Sequence, residues 1–380
     1  MNSIENSGRE MQKRPDVVIL GLPRWEGDYQ KSTVELAKEL SQFHRVLYVE
    51  YTPTWKDTKG PKPGLLRQIH DSLWVLTPPS LLPIHWISSA SWYDRCLTWN
   101  AKVLRRAILK ELNALHFSDL ISINAFQPAL GTKLLGTLGE TKTYYYAYDE
   151  MSAAAWLKKH GPRYEEQFLK QVTGAIVSST GLYQTKKKLQ PNIHLITNGV
   201  ETTLFDQARY PYHPKPILGY IGALDDRLDS PLLQAIAQAF PQHTLQLIGK
   251  LTHPPLKEAL HAFPNVEWVG AVPPTEIGQY LRHFQVGLIP FLTNPFTRNI
   301  YPMKINQYLA LGMPVVSTDF ADLSSFGNAI SVAETIPQFL QSLQAALLDT
   351  NPADQKKRTH LAWQNAWPAK AQQLSNLITS

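Results

Sequence analysis

The stretch Asn294–Phe320, NPFTRNIYPMKINQYLALGMPVVSTDF, carries most of the information about this chain. It opens as a polar loop with Thr297 and Arg298. Pro302 stands where a first helical residue is expected, since its missing N–H costs nothing there and its fixed φ suits the turn. The helix is expected to run through Lys304, Gln307 and Tyr308 to Ala310. Gly312 followed by Pro314 supplies the stop, and Val315–Thr318 reads as a short buried strand. Lys304 and Gln307 are three apart and share a helix face. A helix N-terminus presents free N–H groups and partial positive charge, which suits a phosphate. Arg298 and Lys304 complete an expected pyrophosphate site, with Gln307 one turn deeper to bond hydroxyls. The same pattern also fits an ordinary amphipathic helix after a surface loop.

Outward from this stretch, short apolar runs alternate with helical spacing. Before it come Asp16–Leu22, Arg45–Tyr51, Leu73–Thr77, Asp119–Ala125, Thr143–Tyr148, Gly174–Ser179 and Ile193–Thr197. A Pro-rich segment, Asn198–Pro216, has no period and reads as a linker. The alternation then resumes with Ile217–Ala223, Thr244–Gly249, Val266–Gly270 and Val286–Phe291, and a last strand is expected near Ala329–Ala333. Continuous apolar strands separated by helices call for parallel sheets covered on both faces. Two such domains leave a cleft at the carboxyl ends of their strands. In the tail, Trp363 and Trp367 at i, i+4 are expected on one face of one helix, which must pack on something.

At 380 residues the chain exceeds one typical core. The opening residues lack an apolar signal segment, no apolar run is long enough to span a bilayer, and a single cysteine, Cys96, excludes an internal disulfide and fits a reducing cytosol. No metal-ligand spacing appears among the histidines, carboxylates and Cys96. Charge is uneven: residues 1–200 hold 25 Lys and Arg against 18 Asp and Glu, and residues 201–380 hold 12 against 13. A basic first half suits an acidic ligand, nucleic acid or an anionic membrane surface, and also plain solvated lysines. Ser89–Leu115 is a long helical stretch with Trp92, Arg95, Trp99, Lys102, Arg105, Arg106 and Lys110. That mixture suits a lipid headgroup layer, or a helix whose tryptophans are core and whose arginines are its wet face.

In order and spacing these pieces resemble a family. PRWEGDYQKSTVELAKEL with RVLYVEY, YYYAYDEMSA, SSTGLYQTKKK with PNIHLITNGVETTLF, GYIGALDDRLD, LQLIGK and the opening stretch are similar to GT-B glycosyltransferases of the family-four type. More narrowly, they resemble bacterial teichuronic-acid and cell-surface polysaccharide glycosyltransferases. The resemblance implies an α/β fold of two doubly wound Rossmann-like domains facing across a cleft. It places an acceptor domain at residues 1–205, a donor domain at 206–359 and a C-terminal helix, 360–380, packing back on the first. It implies a UDP or GDP sugar as donor, no separate cofactor or metal, and a glycan or lipid-linked acceptor. Retention of configuration, work at the cytoplasmic face of the membrane and no nucleic-acid partner also follow from it, and the basic first half adds an expected contact with anionic lipid. Gly222, Arg227, Asn294, Thr297, Arg298, Tyr301, Pro302, Lys304 and Gln307 are the implied donor residues. Gly21, Arg24, Trp25, Asn124 and Gln127 are the implied acceptor residues, with Asp149 or Glu150 to orient or deprotonate the acceptor.

Two departures bear on activity. Gln307 stands where the family usually has a ribose-binding glutamate, and Asn299 where it has an earlier one. A nucleotide-sugar epimerase of the same fold, or a non-catalytic nucleotide-sugar-binding partner, therefore stays open beside the transferase.

Overall fold

The computed structural model describes residues 14–26, 31–55, 62–153, 159–205 and 210–380, so part of the expected opening loop (27–30) and of the linker (206–209) lies outside it. The first sheet contains β1 (Val17–Gly21), β2 (Val46–Val49), β3 (Leu66–His70), β4 (Leu73–Leu76), β5 (Ile121–Ala125), β6 (Lys142–Ala147), β7 (Gly174–Val177) and β8 (Ile193–Leu195). Its order is β3-β4-β2-β1-β5-β6-β7-β8, parallel except for β3. The second contains β9 (Ile217–Ile221), β10 (Thr244–Ile248), β11 (Val266–Gly270), β12 (Val286–Ile289), β13 (Val315–Thr318) and β14 (Ser331–Ala333), in the order β11-β10-β9-β12-β13-β14, all parallel. β3 is absent from the sequence reading. LRQIH is half polar because it is an antiparallel edge strand with exposed residues, so it lacks the buried run that marks the central strands.

Helices cover both sheets. Those of the first half are α1 (Ser32–Leu40), α2 (Ala90–Ala114), α3 (Pro128–Leu134), α4 (Gly161–Leu169) and α5 (Thr180–Lys186). Those of the second are α6 (Ser230–Ala239), α7 (Pro254–Leu260), α8 (Ile277–Leu281), α9 (Met303–Ala310), α10 (Ile336–Leu347), α11 (Pro352–Gln364) and α12 (Trp367–Thr379). The two-residue period of β1 sorts its side chains. Val17 and Ile19 join a core with Leu36, Leu40 and Trp367, while Val18 and Leu20 join Leu104, Ile108 and Leu112 of α2. In both sheets the strand order reverses beside the first strand, between β1 and β5 and between β9 and β12. Adjacent loops splay apart at such a point and leave a crevice at the carboxyl edge.

The tail differs from the single helix expected over 360–380. It breaks at Asn365 and Ala366 into α11, which packs on α9, and α12, which packs on α1. The break exists because the tail pairs with the linker: Val200 N donates to Asn365 O at 3.0 Å and Trp367 N to Val200 O at 3.2 Å. Trp367 is buried with Ala371, Leu374 and Ile378, a stripe at helical spacing, whereas Trp363 is half exposed. The two indoles therefore do not share a face. Gly199 is required by close approach, since a Cβ there would lie 2.6 Å from the Trp367 ring.

Candidate active site

The side expected to hold the donor is built at the reversal between β9 and β12. Gly222 follows β9 with φ +140°, and a Cβ on it would sit 2.2 Å from Lys304 Cε, so only glycine lets the lysine cross here. Lys304 lies in the first turn of α9. Pro302 is the N-cap residue, one position earlier than expected, and Met303 opens the helix. The Lys304 ammonium lies 5.5 Å from the Tyr220 ring centre and 5.3 Å from that of Phe291. Arg227 also lies over the Phe291 ring, 5.5 Å from its centre, and is held by Asp225 through Nε at 2.9 Å and Nη2 at 2.5 Å. Burial, with Arg227 adding to it and Asp225 opposing, lowers the Lys304 pKa to about 8. Asp225 is itself held below the usual carboxylate range: burial raises it, but the bonds and charge of Arg227 win.

These groups line a cavity of about 270 Å³ with Tyr301, Pro302 and Gln307. It shares Ile221, Gly222, Val272, Pro274 and Ile277 with a larger one of about 560 Å³, which runs past Gly249 and Lys250 at the carboxyl ends of β9 and β10. Gly222, Arg227, Tyr301, Pro302, Lys304 and Gln307 are thus gathered together. Tyr301 contributes through packing: it stacks on Phe326 at 5.4 Å and its hydroxyl accepts from Asn306 Nδ2 at 3.1 Å.

Asn294, Thr297 and Arg298 are not in that lining. Thr297 is fully buried and donates to Leu292 O at 2.6 Å, and Asn294 Oδ1 accepts from the amides of Phe296 and Thr297. These two side chains shape the loop, and Arg298 is exposed on it. The loop instead meets the first domain. Ser179 Oγ donates to Asn299 O at 2.6 Å, and a Cβ on Gly181 would lie 2.5 Å from Arg298 O. Tyr220, Phe291 and Asp225 surround the Lys304 and Arg227 cations and are not among the residues the sequence singled out. The only signal was the two-residue spacing of Asp225 and Arg227, which equally suits a turn before the Asp229 cap of α6.

On the side expected to hold the acceptor, Asp149 follows β6. Burial raises its pKa, against the Glu150 amide, Arg227 and Lys186, so it feels the donor-side arginine across the cleft. Glu150 differs: it accepts from Ser152 and lies 3.6 Å from the buried Lys186, whose main partner is Glu165 at 2.8 Å. That network ties α4 to α5 and absorbs Glu150. Asn124 is also absorbed, since its carboxamide bonds both the N–H and the C=O of Gln127. It thereby holds a tight turn in which Phe126 has φ +64°, a conformation rare for an aromatic residue. Gln127 Nε2 donates to Gly21 O at 2.8 Å, joining β5 to β1 at their reversal. A Cβ on Gly21 would strike the Tyr48 hydroxyl at 2.2 Å. Trp25 packs edge-on to Tyr48 at 5.2 Å, and Arg24 lies 5.2 Å from the Tyr51 ring centre. Gly21, Arg24, Trp25, Gln127 and Asp149 thus share the carboxyl edge, while the side chains of Asn124 and Glu150 are engaged by Gln127 and by Ser152 and Lys186.

Residues 215–349 match the family model described as glycosyl transferases group 1. The structure aligns with sucrose-phosphate synthase from Thermosynechococcus elongatus at a TM-score of 0.70 and 16% identity, over 96% of this chain and 98% of that one. It aligns with the E. coli trehalose-6-phosphate structure bound with UDP-2-fluoro glucose at 0.68 and 10% identity, over 95% and 99%. The chain has the GT-B fold, and its second domain is a group 1 glycosyl transferase domain. A curated relative, the putative teichuronic acid biosynthesis glycosyltransferase TuaH of Bacillus subtilis (strain 168), is 29% identical over 153 residues. That match spans 37% of this chain and 38% of the relative. In this GT-B chain, no helix among the described residues is long and apolar enough to cross a membrane.

Proposed function

We propose that the protein transfers a sugar from a nucleotide-diphosphate sugar to a glycan or lipid-linked acceptor in surface polysaccharide synthesis, retaining the configuration of the transferred sugar. The observation that carries this is the convergence of Lys304, Arg227 and the N-terminal end of α9 on one cavity beneath Gly222. Two cations and a helix dipole suit a leaving diphosphate, whose charge grows as the glycosidic bond breaks. They supply positive charge without a metal, which is the metal-independent course. Gln307, which lines the same cavity, would bond the ribose, donating and accepting but bringing no charge. Asp149 orients the acceptor hydroxyl, and its raised pKa suits it to share that proton.

The resemblance to surface-polysaccharide transferases favours a lipid-linked acceptor, and the surface offers a means of reaching it. Trp92 and Trp99 are 60% and 48% exposed, so they are not core, and with Arg95, Lys102 and Arg106 they form one outward stripe of α2. Tryptophan and cations at that spacing suit an anionic cytoplasmic leaflet. Incubation with UDP- and GDP-sugars, with and without lipid-linked acceptors, tests the reading. Transfer, or slow donor hydrolysis lost in Lys304→Ala, is expected. A donor that binds but is neither transferred nor hydrolysed would favour a non-catalytic binding partner, the reading that Gln307 keeps alive.

A further inference from the structure

A second apolar hollow, of about 560 Å³, lies in the first domain. Its walls come from the segments that leave β2 and β4 at their carboxyl ends and from the first turns of α2. It therefore opens on the same sheet edge as Gly21, Gln127 and Asp149. Trp55, Leu82, Ile84, Trp86, Ile87 and Trp92 line it. Trp55, Trp86 and Trp92 are 67%, 65% and 60% exposed, which leaves a large indole surface in water around one concavity.

The hollow is held open. Asn100 clamps Leu82 by accepting from its N–H at 2.9 Å and donating to its C=O at 3.0 Å. The His160 ring bonds Ile87 O at 2.9 Å and stacks on Tyr93 at 4.1 Å. Its rim is cationic: Arg95 lies over Trp92 at 5.5 Å, and the Lys159 ammonium donates to Ser88 Oγ at 2.5 Å. Asp94, next to Arg95 in the same turn of α2, is already taken by Arg163 and the Tyr164 hydroxyl. A second copy docked here about a two-fold axis would bring like charges together. An amphiphile with an apolar chain and an anionic head matches both parts.

We propose that this hollow binds the hydrocarbon chain of a polyprenyl phosphate, with the phosphate at Arg95 and Lys159. The assignment of this ligand as the lipid end of the acceptor rests on the transferase reading above; the binding itself does not.

Cys96 is the only cysteine and lines the hollow, so its alkylation reports occupancy without a label. The rate of reaction with a neutral maleimide is measured with farnesyl phosphate below its micellar concentration. A slowing of at least fivefold is expected, with no effect of inorganic phosphate. Trp86→Ala and Arg95→Glu, both at exposed positions, should each lose most of that protection with an unchanged melting temperature. An unchanged rate with farnesyl phosphate overturns the proposal, as does protection that survives both variants. Protection only by anionic vesicles would assign the surface to the bilayer, and protection by raised protein concentration alone to a second copy; either also overturns it. Nucleotide-sugar hydrolysis on the same samples reports on the transferase reading separately.

Discussion

Raising the pH from 7 to 9 should weaken donor binding through one residue, Lys304. Only the ammonium form attracts a diphosphate, and in the free protein its pKa is about 8. A bound diphosphate raises that value, so affinity is full below 8 and declines as the pH climbs through it towards the bound-state pKa. At pH 9 roughly nine-tenths of the free protein carries a neutral amine, and binding must take up a proton. The cost is about 1.4 kcal/mol, near tenfold in Kd. Lys304→Arg stays charged throughout and should show no such slope. Lys304→Ala should be weaker at every pH by ~1.5–3 kcal/mol, tenfold to a hundredfold, also without the slope. Calorimetry with a nucleotide-diphosphate sugar, in buffers of differing ionisation enthalpy, reads both affinity and proton uptake. Ionisation of the base cancels in the comparison with Lys304→Arg. Equal pH slopes for the wild type and Lys304→Arg would refute the argument.

Asp149→Asn should lower kcat about 10²–10⁴-fold with little change in melting temperature, and an activity loss below threefold would remove it from the site. Glu165→Ala should instead destabilise the first domain by about 3 kcal/mol, because it leaves Lys186 buried with only the more distant Glu150; urea unfolding checks this. Gly222→Ala strains a backbone at φ +140° and displaces Lys304, so donor affinity should fall at least tenfold, as calorimetry would show. Trp367→Ala should cost roughly 3–5 kcal/mol in denaturant unfolding and Trp363→Ala within about 0.5, since only the first indole is buried.

The central strands of both sheets were legible in the sequence because each is a run of apolar residues buried on both faces. VVILG, VLYV and VGLI can be little else between helical segments. The α9 stop at Gly312, with φ +79°, was legible for an equally local reason, the left-handed residue that ends a helix. β3 was not, since an edge strand satisfies only half its backbone and buries little. Neither was the break between α11 and α12, which is imposed by the Val200 backbone 165 positions earlier.

For the site the division is similar. Lys304, Gln307 and Gly222 could be singled out from local pattern and resemblance, because helix start and glycine turn are short-range features. Which of the neighbouring polar residues face the cavity depended on long-range partners. Thr297 looked as available as Lys304 until its hydroxyl was found turned to Leu292, and Glu150 as available as Asp149 until Lys186 lay beside it. Trp92 and Trp99 could not be sorted into core or surface by helical spacing, since a helix of 25 residues has apolar residues on more than one face. Burial decided them. The residues that must lie in a strand or begin a helix are fixed by their neighbours in the chain. Those whose polar atoms stay open to a ligand are fixed by what the folded structure has not already placed against them.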